Sequence, residues 1–217
     1  MQYKNIEIKW GGHSGFLIKS SGMNIYIDPL KLSEESSIFK ADLILITHGH
    51  WDHFSIEDIK KIIKKDTKFI GPSEILSQTR QVKDGIDFEV AEVGKNLEFN
   101  GIKIQVVDSY NTNKPFHSKG DCVGYILDFD GIKIYHAGDT DFISEMNQIK
   151  ADLAFLPISG KFTMNYLEAA KAAELIKPDL AIPIHWGNHI GTKEDAENFI
   201  HLCKEKGINA KILEKEV

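Results

Sequence analysis

Residues 45–54 read LITHGHWDHF and place His48, His50, Asp52 and His53 within six positions. The stretch DLILIT, residues 42–47, runs directly into them and is apolar enough to be a strand covered on both faces. Three imidazoles and a carboxylate crowded at the end of a buried strand need a compensating partner, because an unpaired polar group costs free energy away from water. Neutral imidazole binds a divalent cation through one ring nitrogen and a carboxylate neutralises charge, so a metal fits these residue types. In a loop leaving a strand, His48 and His50 point one way while Asp52 and His53 turn towards a neighbouring position. That spacing suits two adjacent metals rather than one.

Outward from this point the chain alternates short strands with breaks. Ile6, Ile8 and Trp10 alternate with polar residues in KNIEIKW, and FLIKS and NIYID follow, divided by Ser21-Gly22. After the histidines, SIEDIKKIIKK carries Ile56, Ile59 and Ile63 at helical spacing behind Ser55, an N-cap residue. KFIG, IDFEVAEV, NLEFNG and IKIQVVDSY return to strand patterning, and YILDFDGIKIYHAGD reads as a hairpin around Asp130-Gly131. DLAFLPI is a strand. Tyr166, Ala169, Ala170, Ala173 and Ile176 define a helix that ends before Pro178. DLAIPIHW is another strand, Thr192 caps a helix with Ala196, Phe199, Ile200 and Cys203 on its inner face, and AKILE is expected to be a final strand. Many strands with a few amphipathic helices predict two sheets packed together with helices outside.

THGHWDH resembles the His-x-His-x-Asp-His signature of the metallo-β-lactamase superfamily, and the apolar strand before it fits that likeness. GGHSGFLI, IYIDP, FHSKGDCVGYILDFDGIKIYHAGDTDF and IPIHWGN resemble successive landmarks of the same family, so the likeness covers almost the whole chain. It is greatest to the branch of small, lactonase-like metal-dependent hydrolases that includes ascorbate-6-phosphate lactonase. The resemblance implies an α/β fold, a four-layer αββα sandwich with a two-metal site at one edge of the sheets, and a single metallo-hydrolase domain over 1–217.

Carried over residue by residue, the resemblance makes His48, His50 and His117 the ligands of a first metal. Asp52, His53 and His185 become ligands of a second, with Asp139 bridging the two. Asp139 and His185 each follow an apolar strand, as His48 does. His136 is the rival of His117, but it shares strand parity with Ile132 and Ile134, which makes it an inward-facing support for the ligands. Asp28 resembles a family position that hydrogen-bonds a ligand histidine, and metal-bound imidazoles usually need such a partner. His13 either lines the site or is a buried, hydrogen-bonded histidine. Lys161 is either a solvated loop lysine or an anion contact at the mouth of the site. His189 is a candidate substrate contact, and His201 sits on the exposed side of its helix.

The implied chemistry is hydrolysis, in which a metal-bridging hydroxide attacks a small ester, lactone or phosphate-containing substrate while Asp52 and Asp139 hold the metals and take up a proton. Imidazole-rich ligation without thiolate favours two zinc ions, with manganese and iron as alternatives. G-x-S-x-G is absent, and Asp139 stands where two-zinc β-lactamases of the superfamily carry cysteine. The di-iron branch typically has glutamate at the place of His50, and the 32 residues after His185 are enough for one helix and one strand, where glyoxalase-type relatives carry a further helical domain. A basic RNA-gripping arm is also missing. The alternatives are a phosphodiesterase or nuclease of the same superfamily, and a non-catalytic metal-binding protein; retention of a candidate for every ligand weighs against the latter.

The bulk numbers agree. A chain of 217 residues, 42% hydrophobic and 27% charged, is long enough for a real core and is most simply one domain or two fused halves. With 32 acidic against 26 basic residues its net charge of -6 argues against general nucleic-acid or anionic-membrane binding, and the resemblance implies a small-molecule substrate. No run approaches a membrane span, and MQYKNIEIKW has no signal-peptide core, so a cytoplasmic location is expected. Cys122 and Cys203 lie far apart and read as small buried thiols.

Overall fold

The computed structural model describes residues 1–216. They fall into two compact units, Met1–Ala91 joined by the C-terminal segment from Leu213, and Glu92–Ile212.

The first unit holds a seven-stranded mixed sheet in the order β1 to β7. Its strands are β1 (Gln2–Tyr3), β2 (Ile6–Gly12), β3 (Gly15–Ser20), β4 (Met23–Ile27), β5 (Leu43–Leu45), β6 (Lys68–Gly71) and β7 (Asp87–Val90). Neighbours are antiparallel from β1 to β4 and parallel from β4 to β7. Parallel pairing needs a crossover, and α1 (Ile56–Ile62) supplies the one between β5 and β6. Ser55 caps it as its sequence predicts, accepting from the Asp58 amide at 3.3 Å. Ile59 and Ile62 bury fully against Leu17, Tyr26, Ile44 and Phe69, each contributing roughly 1.5–3 kcal/mol, with Ile56 and Ile63 partly buried at the edge. Asp58 also anchors the preceding loop by accepting from the amides of Lys31 at 2.7 Å and Leu32 at 3.1 Å. Burial pushes its carboxyl up, but Lys61, Ser55 and these amides together hold it below the usual carboxylate range.

The second unit holds a six-stranded mixed sheet ordered β13-β12-β11-β10-β9-β8. The strands are β8 (Asn96–Phe99), β9 (Ile102–Asp108), β10 (Val123–Phe129), β11 (Ile132–His136), β12 (Leu153–Pro157) and β13 (Leu180–Ile184). The β10–β11 hairpin turns on Asp130 and Gly131, whose φ values of 53° and 90° are what a two-residue turn of this hand requires. From β11 onwards the strands are parallel. The helix α2 (Tyr166–Ile176) packs on β12 and on α3 (Lys193–Glu205) through its alanine face, Ala169, Ala170, Ala172 and Ala173. Capping boxes at Asn165 and Thr192 open both helices.

One expectation fails. AKILE is not a strand: Ala210 makes a single bridge to Ala181, and Lys215, just beyond the stretch, makes one to Trp10. With contacts at two separate points the segment never forms a continuous ladder. Cys122 and Cys203 are buried and form no disulfide. Among the described residues, no helix is long and apolar enough to cross a membrane.

Candidate metal centre

In the first unit β5 stops at Leu45 because the chain beyond it changes partner. The Thr47 amide donates to Asp28 Oδ1 at 2.8 Å and its hydroxyl to Asp28 Oδ2 at 2.7 Å. Asp28 follows β4 directly and is fully buried. Its carboxylate can only accept, so His53, with Nδ1 2.7 Å from Asp28 Oδ2, carries its proton on Nδ1 and its lone pair on Nε2. Thr47 Oγ1 has given its own proton to Asp28 and accepts from His48 Nδ1 at 3.1 Å, which fixes the same tautomer there. His48 Nε2 then lies 2.9 Å from His50 Nδ1. The loop closes when the amides of His53 and Phe54 both bond to the His50 carbonyl, at 3.0 and 2.8 Å. This drops Phe54 into the core and leaves Trp51 facing solvent. Gly49 fits tightly between the two histidines: a Cβ there would come 3.0 Å from Glu74 Oε1 and 3.2 Å from Ile75 Cγ2, and those side chains would have to give way. His13 is buried and its Nε2 sits 3.0 Å from Asp52 Oδ2, so it holds this carboxylate in place. Donor atoms of His13, Asp52 and His53 all lie within 4.8 Å of one another.

The second unit carries a matching arrangement. Asp139 leaves β11 through Ala137 and Gly138 and is 2% exposed. Its Oδ2 lies 2.8 Å from His185 Nε2 and 3.4 Å from His117 Nε2. Each ring is anchored from behind at Nδ1, His185 by Ser159 Oγ at 3.0 Å and His117 by Asn111 Oδ1 at 3.0 Å. Asn111 is itself oriented by donating to Asp141 Oδ1 at 3.1 Å and to the Phe162 carbonyl at 2.8 Å. Asp141 gathers the Thr112 amide at 2.9 Å and the Lys114 ammonium, which together outweigh burial and hold its carboxyl low.

His136 differs from these rings. Its Nδ1 accepts from the Gly138 amide at 3.2 Å, so in the neutral ring the proton is on Nε2 and no lone pair is left there for a metal. Among the remaining candidates, His189 and Lys161 are exposed in loops, and Lys161 Nζ stands 5.0 Å over the Phe162 ring. His201 is exposed and pairs with Glu205 at 3.4 Å.

His13, Asp28 and His185 have φ of 54°, 45° and 58°, in the left-handed region that non-glycine residues avoid. Such strain of order 1–3 kcal/mol per residue is kept where surrounding contacts over-determine a functional geometry. Sequence reading missed Thr47, Asn111 and Ser159. Thr47 at least adjoins His48, whereas nothing in the sequence marks the other two.

Four imidazoles anchored at Nδ1 and presenting Nε2, together with buried Asp52 and Asp139, are a donor set that fits divalent metal ions. The model of the beta-lactamase superfamily domain matches residues 7–185. A UPF0173 metal-dependent hydrolase of Thermococcus onnurineus is 36% identical over 93% of both chains. One from Methanopyrus kandleri is 32% identical over 96% of both. Igni18, a metallo hydrolase from Ignicoccus hospitalis, superposes with a TM-score of 0.81 at 27% identity, covering 98% of this chain and 96% of that one. The chain belongs to the metallo-β-lactamase superfamily and is one of its metal-dependent hydrolases.

Proposed function

We propose that the chain is a binuclear hydrolase acting on a small ester, lactone or phosphate-containing molecule. His48, His50 and His117 would hold one ion, and Asp52, His53 and His185 a second, with Asp139 shared between them. The observation that supports this best is the repeated anchoring of His48, His53, His117 and His185 at Nδ1 by Thr47, Asp28, Asn111 and Ser159. Asp28, Thr47 and Asn111 can only accept from His53, His48 and His117, so those three rings keep Nε2 unprotonated, while Ser159 fixes the orientation of His185; such rings are preorganised for ligation. All-nitrogen-and-oxygen ligation rich in imidazole favours zinc.

Bound divalent ions would supply Lewis acidity and bring the ionisation of water close to neutral pH. The chain's own residues do the rest. Asp52, steadied by His13, and Asp139 accept the proton released as water adds to the substrate. His48, His53, His117, His185 and both carboxylates are buried, so charge interactions at the carboxylates are stronger than in water.

The test is elemental analysis of protein loaded with zinc or manganese, followed by hydrolysis of lactone and phosphodiester chromogens. About two ions per chain are expected, with turnover that vanishes on chelation and returns on reloading. Protein that holds no metal after loading would sink the reading, and metal without turnover would make it a binding protein.

A further inference from the structure

We propose that Phe116, Lys161 and Phe162 form a recognition corner, and that the substrate is a small molecule carrying a planar aromatic group and an oxyanion. The inference rests on the hydrolase reading above and adds the substrate's chemistry to it.

Phe116 is 41% exposed although it adjoins His117. Its ring meets Phe162 edge-on, with centroids 4.7 Å apart and planes at 88°. The Lys161 ammonium stands over the Phe162 ring, so the cation and the exposed Phe116 ring belong to one surface. A scattered surface phenylalanine needs no explanation, but the loops that carry this pair are tied together. Asn111 holds the Phe162 carbonyl at 2.8 Å with the same side chain that holds His117. The Asn111 amide bonds the His117 carbonyl at 2.8 Å, closing the loop that carries Phe116. On the other side, Gly160 bonds Met164 and Lys161 bonds Ser159, each at 2.9 Å, and Ser159 is the anchor of His185.

The loops that position two candidate ligands therefore also hold a ring that is partly open to solvent. Two perpendicular rings accept a planar group in one orientation, stacked on Phe116. The ammonium beside them supplies the charge for an anionic group on the same molecule. The loops that carry both side chains are tied by these backbone bonds before anything binds, which reduces the ordering cost of recognition.

Calorimetric titration of the metal-free full chain with hippurate and with its neutral amide, hippuramide, tests the corner without any turnover. Hippurate should bind about three- to fivefold more tightly than hippuramide. Phe116→Ala should weaken both by about three- to tenfold. Lys161→Met should leave the two equal, and zinc content after loading should match wild type in both variants. Undetectable binding of hippurate, equal binding of the two probes to wild type, or an unaltered Phe116→Ala variant would overturn the corner. Loss of zinc in wild type would instead overturn the binuclear reading, so the two failures are distinguishable.

Discussion

Asp139→Asn should leave the protein folded and nearly inactive, with turnover down by at least about a hundredfold and binding of at least one metal weakened. The substitution keeps the side chain's shape but removes the charge and one metal-binding oxygen. It acts where His117 and His185 converge, at 3.4 and 2.8 Å from the same Oδ2. Folding should survive because the second unit's core comes from apolar strands and the alanine face of α2, none of which depends on that carboxylate. Elemental analysis, chromogen hydrolysis and a thermal melt on one preparation separate the outcomes. Full metal content with full turnover would remove Asp139 from the mechanism. Failure to fold would show that the carboxylate is needed for structure first.

His117→Ala and His136→Ala should differ sharply although both rings are buried in the same unit. Removing His117 takes away an Nε2 presented beside Asp139, so about one equivalent of metal and nearly all turnover should be lost. Removing His136 takes away the acceptor of the Gly138 amide. The strand exit that leads to Asp139 loosens, stability falls by about 1–3 kcal/mol, and metal affinity falls by about 10–100-fold. Metal titration with thermal unfolding checks both variants. The reverse order would mean that His136 is the ligand and His117 its support.

Much of this was legible in the sequence, for identifiable reasons. Strand periodicity, the Asp130-Gly131 turn and the caps at Ser55 and Thr192 are local signals, and each forms where its residues predict. His48, Asp139 and His185 all leave the ends of apolar strands, and the family resemblance supplied the rest of the ligand candidates. What escaped was non-local. DLILIT keeps only Leu43–Leu45 as ladder, because the Thr47 amide turns to Asp28, a pairing that no window around Thr47 contains. Asn111 and Ser159 anchor rings that stand far along the chain from one another. AKILE has strand composition but bridges only at Ala210, and pairing rather than propensity makes a strand. Phe116 and Phe162 meet where Asn111 and Lys114 tie their loops together, bonding the carbonyls of Phe162 and Thr163.

The most direct test of the central claim is a crystal structure of the zinc-loaded protein with anomalous data collected at the zinc edge. Two peaks about 3.5–4 Å apart are predicted, one held by His48, His50 and His117, the other by Asp52, His53 and His185, with Asp139 touching both. A single peak, or two peaks bound to separate clusters with no shared carboxylate, would contradict the binuclear account.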